Sequence, residues 1–195
     1  YNLIREKAPF VLVNRNLKEE IANYVIIDNY KGADLITRHL IELGYSKIAH
    51  IAIDQKFSTG LGRLQGYKKA LKEFGIKTLD EYIVQIQNHI TSEDAYRATK
   101  HLLSLPNPPE AIFGGSDLIA LGVFNALKEK ELKVPEDIAV VGFDDTDFAS
   151  NKWINLTTVG QRKYEMGNLA LEILTNYIER AEKDYLHRVV LEPKL

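Results

Sequence analysis

From Asn29 onward, short apolar runs alternate with stretches whose apolar residues recur at helical spacing, and this alternation limits the possible folds more than any other feature. The runs at residues 48–53, 82–86, 111–113, 138–145 and 156–159 read as strands, several too uniformly apolar to face water on either side. Between them, Ala33, Ile36, Leu40 and Leu43 form a helical stripe that Gly44 is placed to end. A helix over about residues 61–74 stops at Gly75, and Thr91-Ser-Glu-Asp94 has the capping-box spacing of a helix start. Ser116 can cap a helix over residues 117–130. Met166, Leu169, Ala170, Ile173, Leu174, Tyr177 and Ile178 line one face of the longest helix, and residues 188–191 form a last strand. Strands and helices in strict alternation imply an α/β fold with a doubly wound parallel sheet. Two earlier runs, at 10–13 and 24–27, have no helix between them and make a poor sheet alone, so their partners are expected upstream.

Composition excludes several classes. With 45% hydrophobic and 27% charged residues, the chain has material for a globular core. Its net charge of −2 gives no general case for nucleic-acid binding by these 195 residues. No apolar run approaches the roughly 20 residues that span a bilayer, so no membrane association is expected. The absence of cysteine removes disulfides and thiolate metal sites. The first residue is Tyr1, within a helix-like stretch, and the sequence reads as a fragment of a longer protein.

In an alternating fold the loops after the strands share one edge of the sheet, and ligands bind there. That edge gathers Phe57-Ser-Thr59 with Arg63, the His89-Ile90 turn, Ser116-Asp117 and the adjacent carboxylates Asp144 and Asp145. A carboxylate at a strand end can accept two hydrogen bonds from hydroxyls or an amine, although an Asx turn closing the strand reads as well. Arg63 lies in the first turns of a helix, where the dipole disfavours a cation, so its planar fork either serves a partner such as Asp144 or simply faces solvent. Gly60 and Gly62 make only a weak anion-binding pattern. The histidines at 39, 50, 89, 101 and 187 lack metal-ligand spacing, and neither Ser58 nor Ser116 sits in a nucleophile turn beside a histidine base. No catalytic set, metal site or cofactor site emerges.

These segments, in order, resemble the effector-binding core of LacI/GalR-type transcriptional regulators. The motifs are Val25-Ile-Ile-Asp-Asn29, His39-Leu-Ile-Glu-Leu-Gly44, Lys47-Ile-Ala49, Gly62-Arg-Leu-Gln-Gly-Tyr67, Ser116-Asp-Leu-Ile-Ala-Leu-Gly122, Val134-Pro-Glu-Asp-Ile-Ala-Val-Val-Gly-Phe-Asp144 and Leu156-Thr-Thr-Val159 with Gln161. The resemblance covers nearly the whole chain. It implies the periplasmic-binding-protein-like fold: two doubly wound parallel-sheet lobes, three crossovers and an effector in the cleft. Carried over, residues 1–28 and 158–184 belong to an incomplete N-terminal lobe, and residues 29–157 and 185–195 to the C-terminal lobe. The crossovers are expected after Asp28, near Thr158 to Gln161 and near Asp184 to His187.

The resemblance also implies a ligand site of Asn14, Phe57, Thr59, Arg63, Ile90, Ser116, Asp144 and Gln161, with Arg63 and Asp144 as the polar anchors for a polyhydroxylated small molecule. Ile90 stands where sugar binders often have an aromatic ring, and Asn14 where aspartate is common, so the ligand's identity stays open. The expected protein is a cytoplasmic, homodimeric repressor whose operator contacts are made by a headpiece absent from this chain. A sugar-binding receptor of a transport system is the alternative, and an α/β enzyme using Asp144 and Asp145 is a third reading.

Overall fold

Strand β3, Ile48–Ile53, is buried along all six residues because it lies inside a parallel sheet covered on both faces. It pairs on one side with β4 (Ile83–Ile86) and on the other with β5 (Ala111–Gly114). The sheet continues through β6 (Ala139–Asp144) to β7 (Thr157–Gly160), giving the order β4-β3-β5-β6-β7 with every pairing parallel. The chain therefore winds outward from β3 to β4 and then back across to β5. That reversal opens a crevice at the carboxyl ends of β3 and β5. The computed structural model describes residues 2–6, 8–17, 21–87, 89–179 and 186–195.

Successive residues of a strand face opposite sides, and the two faces of this sheet have separate cores. Ile48, Phe113, Ala139, Val141 and Phe143 pack with helices α2 (Asn29–Glu42) and α3 (Ser58–Glu73). Ala49, Ile51, Ile112 and Val140 pack with α4 (Ser92–Leu103) and α5 (Asp117–Glu129). The expected helix starts operate at Thr91 and Ser116, whose side chains accept from the amides of Asp94 and Ile119, and the Asp28 side chain caps α2 by accepting from the Lys31 amide. Gly44 and Gly75 follow their helices at φ 96° and 70°, where a side chain would be strained. One member of the first apolar stripe differs: Leu43 is the C-cap residue of α2 and is 62% exposed, because the chain leaves the helix before it can turn inward.

The small sheet has the order β1-β2-β8, formed from Val11–Val13, Asn23–Ile27 and Arg188–Leu191, again all parallel. Helix α6 (Lys163–Glu179) covers it with Met166, Ala170 and Ile173 against Val25, while Ile178, expected on the same face, is 60% exposed. Three features depart from the expected division into lobes. The last strand, expected with residues 29–157, pairs instead with β2, where Val189 and Leu191 join the core under α6 and the amide of Asp28 bonds to Leu191 O. A strand-pairing partner of β2 thus comes from downstream. Strand β7 stays paired with β6 as far as Gly160, so residues 158–160 belong to the large sheet. The final return to the large sheet follows Leu191, where the Gly160 amide bonds to Lys194 O, rather than at 184–187. Residues 184 and 185 lie outside the described residues.

Candidate functional site

The site is built around the start of α3. Phe57 takes the N-cap position without a side-chain cap, and the first turn presses on its surroundings. A Cβ at Gly60 would stand 2.4 Å from Asp54 O, and one at Gly62 would be 3.2 Å from the Asn29 side chain. Glycine at 60 thus lets the helix start directly against the end of β3, which buries Thr59 and Arg63.

Arg63 is 2% exposed, and its fork is occupied on every nitrogen. Nε donates to Asn29 Oδ1 at 2.9 Å, Nη1 to Gly115 O at 2.6 Å, and Nη2 faces Asp144 Oδ1 at 3.1 Å. The guanidinium also lies 3.7 Å from the centroid of the Phe143 ring. A buried cation needs this many partners to offset its lost hydration. Burial still lowers the arginine's pKa, against the pull of Asp144, and raises that of the Asp144 carboxyl against the pull of Arg63.

Asp144 ends β6 at φ 117°, followed by Asp145 at φ 48°, so the strand turns a left-handed corner at the sheet edge. Its Oδ1 also accepts from Gln161 Nε2 on the crossover after β7. Arg63, Asp144 and Gln161 are therefore joined directly, as a charge-assisted network with part of the aspartate still open to solvent.

The other expected residues have separate local roles, and Asn14 follows a strand of the small sheet. Ser116 caps α5, Ile90 packs against the core under α4 and α5, and Thr59 is buried in the first turn of α3. Phe57 carries the Arg15 guanidinium 4.2 Å above its ring. Asn14 has φ 63° at the end of β1, and its buried Oδ1 has no hydrogen-bond partner among the described residues. Two cavities flank the charged pair. One of about 700 Å³ includes Asp145, Gln161 and Tyr164, and one of about 680 Å³ includes Arg15, Phe57 and Ser58. Neither is lined by Arg63 or Asp144, whose polar atoms already satisfy each other.

Sequence reasoning missed Asn29, the Gly115 carbonyl and Phe143 as the cradle of Arg63. Asn29 ends an early motif and follows a helix cap, which gave reason to look there. A backbone carbonyl gives no sequence signal. His50, expected to be surface or core, is core: its Nδ1 lies 2.9 Å from Phe113 O, and its ring stacks on Phe113 at 4.4 Å. Burial, outweighing the bond to Phe113 and assisted by the Arg63 charge, lowers its pKa to about 4.

Residues 37–195 match the family model of the periplasmic binding protein-like domain. The crystal structure of the transcriptional regulator LacI from Bacillus cereus subsp. cytotoxis NVH 391-98 is similar over 100% of this chain and 68% of that one, with TM-score 0.91 and 32% identity. The chain belongs to the LacI family of regulators. A cellobiose complex of the transcriptional regulator CelR aligns at TM-score 0.89 with 34% identity, covering 98% of this chain and 58% of that one. The ribose operon repressor of Escherichia coli K12 is 40% identical over 147 residues, which is 75% of this chain and 44% of that protein. This LacI-family chain thus spans less than half the length of that relative. Among its described residues no helix is long and apolar enough to cross a membrane.

Proposed function

We propose that this chain is the effector-sensing and dimerisation core of a LacI/GalR-type transcriptional repressor, taking a small polyhydroxylated ligand, a sugar or sugar derivative, in the cleft between its lobes. The observation that carries this reading is the Arg63–Asp144–Gln161 network at the carboxyl edge of the large sheet, in a chain of this family. The partly exposed Asp144 carboxylate accepts from a ligand hydroxyl while the buried Arg63 fork holds it in place, an arrangement that suits a polyhydroxylated ligand. Asn14, Phe57, Thr59, Ile90 and Ser116 complete the proposed ligand site. Names of the relatives point the same way: one is a ribose operon repressor, another is a complex with cellobiose.

The mechanism is a population shift. Asp28-Asn29, residues 160–162 and residues 191–194 are the passages between the two sheets. An effector that binds one closure of the lobes more tightly biases their arrangement, and a ligand of equal affinity for both shifts nothing. The homodimer then presents operator-reading segments of the whole protein, outside this chain, well or badly to DNA. The protein acts in the cytoplasm and has no catalytic role, since the residues at the edge bind one another rather than pairing a nucleophile with a base.

The test is thermal unfolding of the full-length protein with D-ribose, cellobiose and a panel of sugars, sugar acids and purines, beside Arg63→Ala. A true effector at 100 times its dissociation constant stabilises the native state by about 2.7 kcal/mol. A shift that vanishes in Arg63→Ala supports the reading. No shift with any compound removes it in favour of a regulator governed by a protein partner.

A further inference from the structure

Asp117 is the first residue of α5, a position where an acid usually complements the helix dipole from the surface. Here it is fully buried, at 0% exposure. Its Oδ2 accepts from the Thr146 amide at 2.7 Å and from the Thr146 hydroxyl at 2.8 Å. Its Oδ1 accepts from the Thr158 hydroxyl at 2.6 Å. The Thr158 hydroxyl in turn accepts from the Asp145 amide at 3.4 Å, which leaves its proton committed to Asp117. One carboxylate therefore ties the start of α5 to the corner after β6 and to β7.

The surrounding sequence is shaped to admit it. A Cβ at Gly142 would fall 2.4 Å from Asp117 Oδ1 and 2.8 Å from Leu156, so a larger residue on β6 would collide with the carboxylate. Three groups donate to the Asp117 carboxylate: one N–H and two hydroxyls. An amide side chain would keep its oxygen on Thr146 and turn its NH2 toward Thr158, reversing that hydroxyl to an acceptor and exchanging three charge-assisted bonds for weaker neutral ones. Next to these contacts, Asp144 and Asp145 hold positive φ, a conformation that surrounding bonds must maintain. Gln161, which donates to Asp144, leaves β7 three residues after Thr158.

We propose that Asp117 is a positioning residue of the effector site: it fixes the Asp144–Asp145 corner through Thr146 and the β7 crossover through Thr158, and so sets the placement of Asp144 and Gln161 for the ligand. This rests on the effector reading above. The charge itself also reaches the site. Burial leads the upward shift of the Asp144 carboxyl, Arg63 opposes it, and Asp117 adds to it.

The experiment compares wild type, Asp117→Asn, Thr158→Val and Thr158→Ser in the full-length protein, with amide exchange and D-ribose affinity as the readouts. In Asp117→Asn the amides of residues 145–146 exchange at least tenfold faster, those of β3 and β5 keep wild-type protection, and D-ribose binds at least tenfold more weakly. Thr158→Val reproduces the weaker binding, and Thr158→Ser, which keeps the hydroxyl, restores it. Unchanged local exchange in Asp117→Asn overturns the proposal. So does a uniform loss of protection through the large sheet, which would make Asp117 a general fold residue. Unaltered D-ribose affinity beside a loosened corner also overturns it. Should wild type bind no compound of the panel, the effector reading fails on its own. The exchange arm then decides whether Asp117 sets the corner.

Discussion

Arg63 Nη2 stands 3.1 Å from Asp144 Oδ1, with 3% of the arginine side chain and 25% of the aspartate side chain exposed. The asymmetry divides the labour. Arg63 is spent on the protein, bonded to Asn29, Gly115 and Asp144 across both sides of the crevice, while Asp144 keeps access to solvent. The pair is best described as a fixed cation that orients a partly free carboxylate.

Arg63→Ala should destabilise the protein by about 3–5 kcal/mol, the range for removing one partner of a buried charge pair. Asp144→Asn should cost less, roughly 1–3 kcal/mol, because the amide oxygen still accepts from Arg63 Nη2 although the buried guanidinium loses its counter-ion. Arg63→Lys should recover little, since one ammonium on a flexible stem cannot meet three acceptors spread around a planar fork. Urea denaturation of the three variants checks the order. A loss in Arg63→Ala no larger than in Asp144→Asn would show that the buried network does not hold the crevice together.

Acid should weaken the fold through His50. Its Nε2 is buried without a hydrogen-bond partner among the described residues, so a proton added there would carry a charge with no acceptor. With its pKa lowered from 6.5 to about 4, the folded protein resists a proton that the unfolded chain binds readily. The associated stability is fully present above pH 6.5 and is lost as pH falls toward 4, a span worth about 3 kcal/mol by linkage. His50→Phe keeps a flat ring against Phe113 and should flatten the stability profile in this window. An unchanged acid slope in that variant would locate the sensitivity elsewhere.

The alternating strands and helices were legible because each is written in local periodicity, and the caps at Thr91 and Ser116 needed only local turn chemistry. The Arg63–Asp144 pairing was legible too, since topology alone puts both at one sheet edge. Leu43 was misplaced because a stripe does not say where the chain leaves the helix. The last strand was assigned to the wrong sheet because a parallel strand chooses its partner through space. Arg188–Leu191 finds β2 across more than 160 residues of chain, and no local pattern encodes that. Asp117 was placed at the sheet edge beside Ser116, and only the convergence of Thr146 and Thr158 shows that its carboxylate serves the protein interior.

Glycine substitutions should separate close packing from open surface. A Cβ at Gly66 would stand 2.1 Å from Tyr30 O, and one at Gly122 would stand 2.2 Å from Ser92 O. Both obstacles are backbone of a neighbouring helix, so α2 and α3, or α4 and α5, would have to move apart. Gly66→Ala and Gly122→Ala should each cost roughly 1–3 kcal/mol or more. Gly167 is the control: it lies inside α6, it is exposed, and a Cβ there meets nothing within 4 Å. Gly167→Ala should therefore stabilise by roughly 0.5–1 kcal/mol, by lowering the entropy of the unfolded chain and favouring the helix. Thermal unfolding of the three variants measures this directly. A stabilised Gly66→Ala would mean that α2 and α3 pack more loosely than their spacing here, and a destabilised Gly167→Ala would mean that this face of α6 is covered in the whole protein.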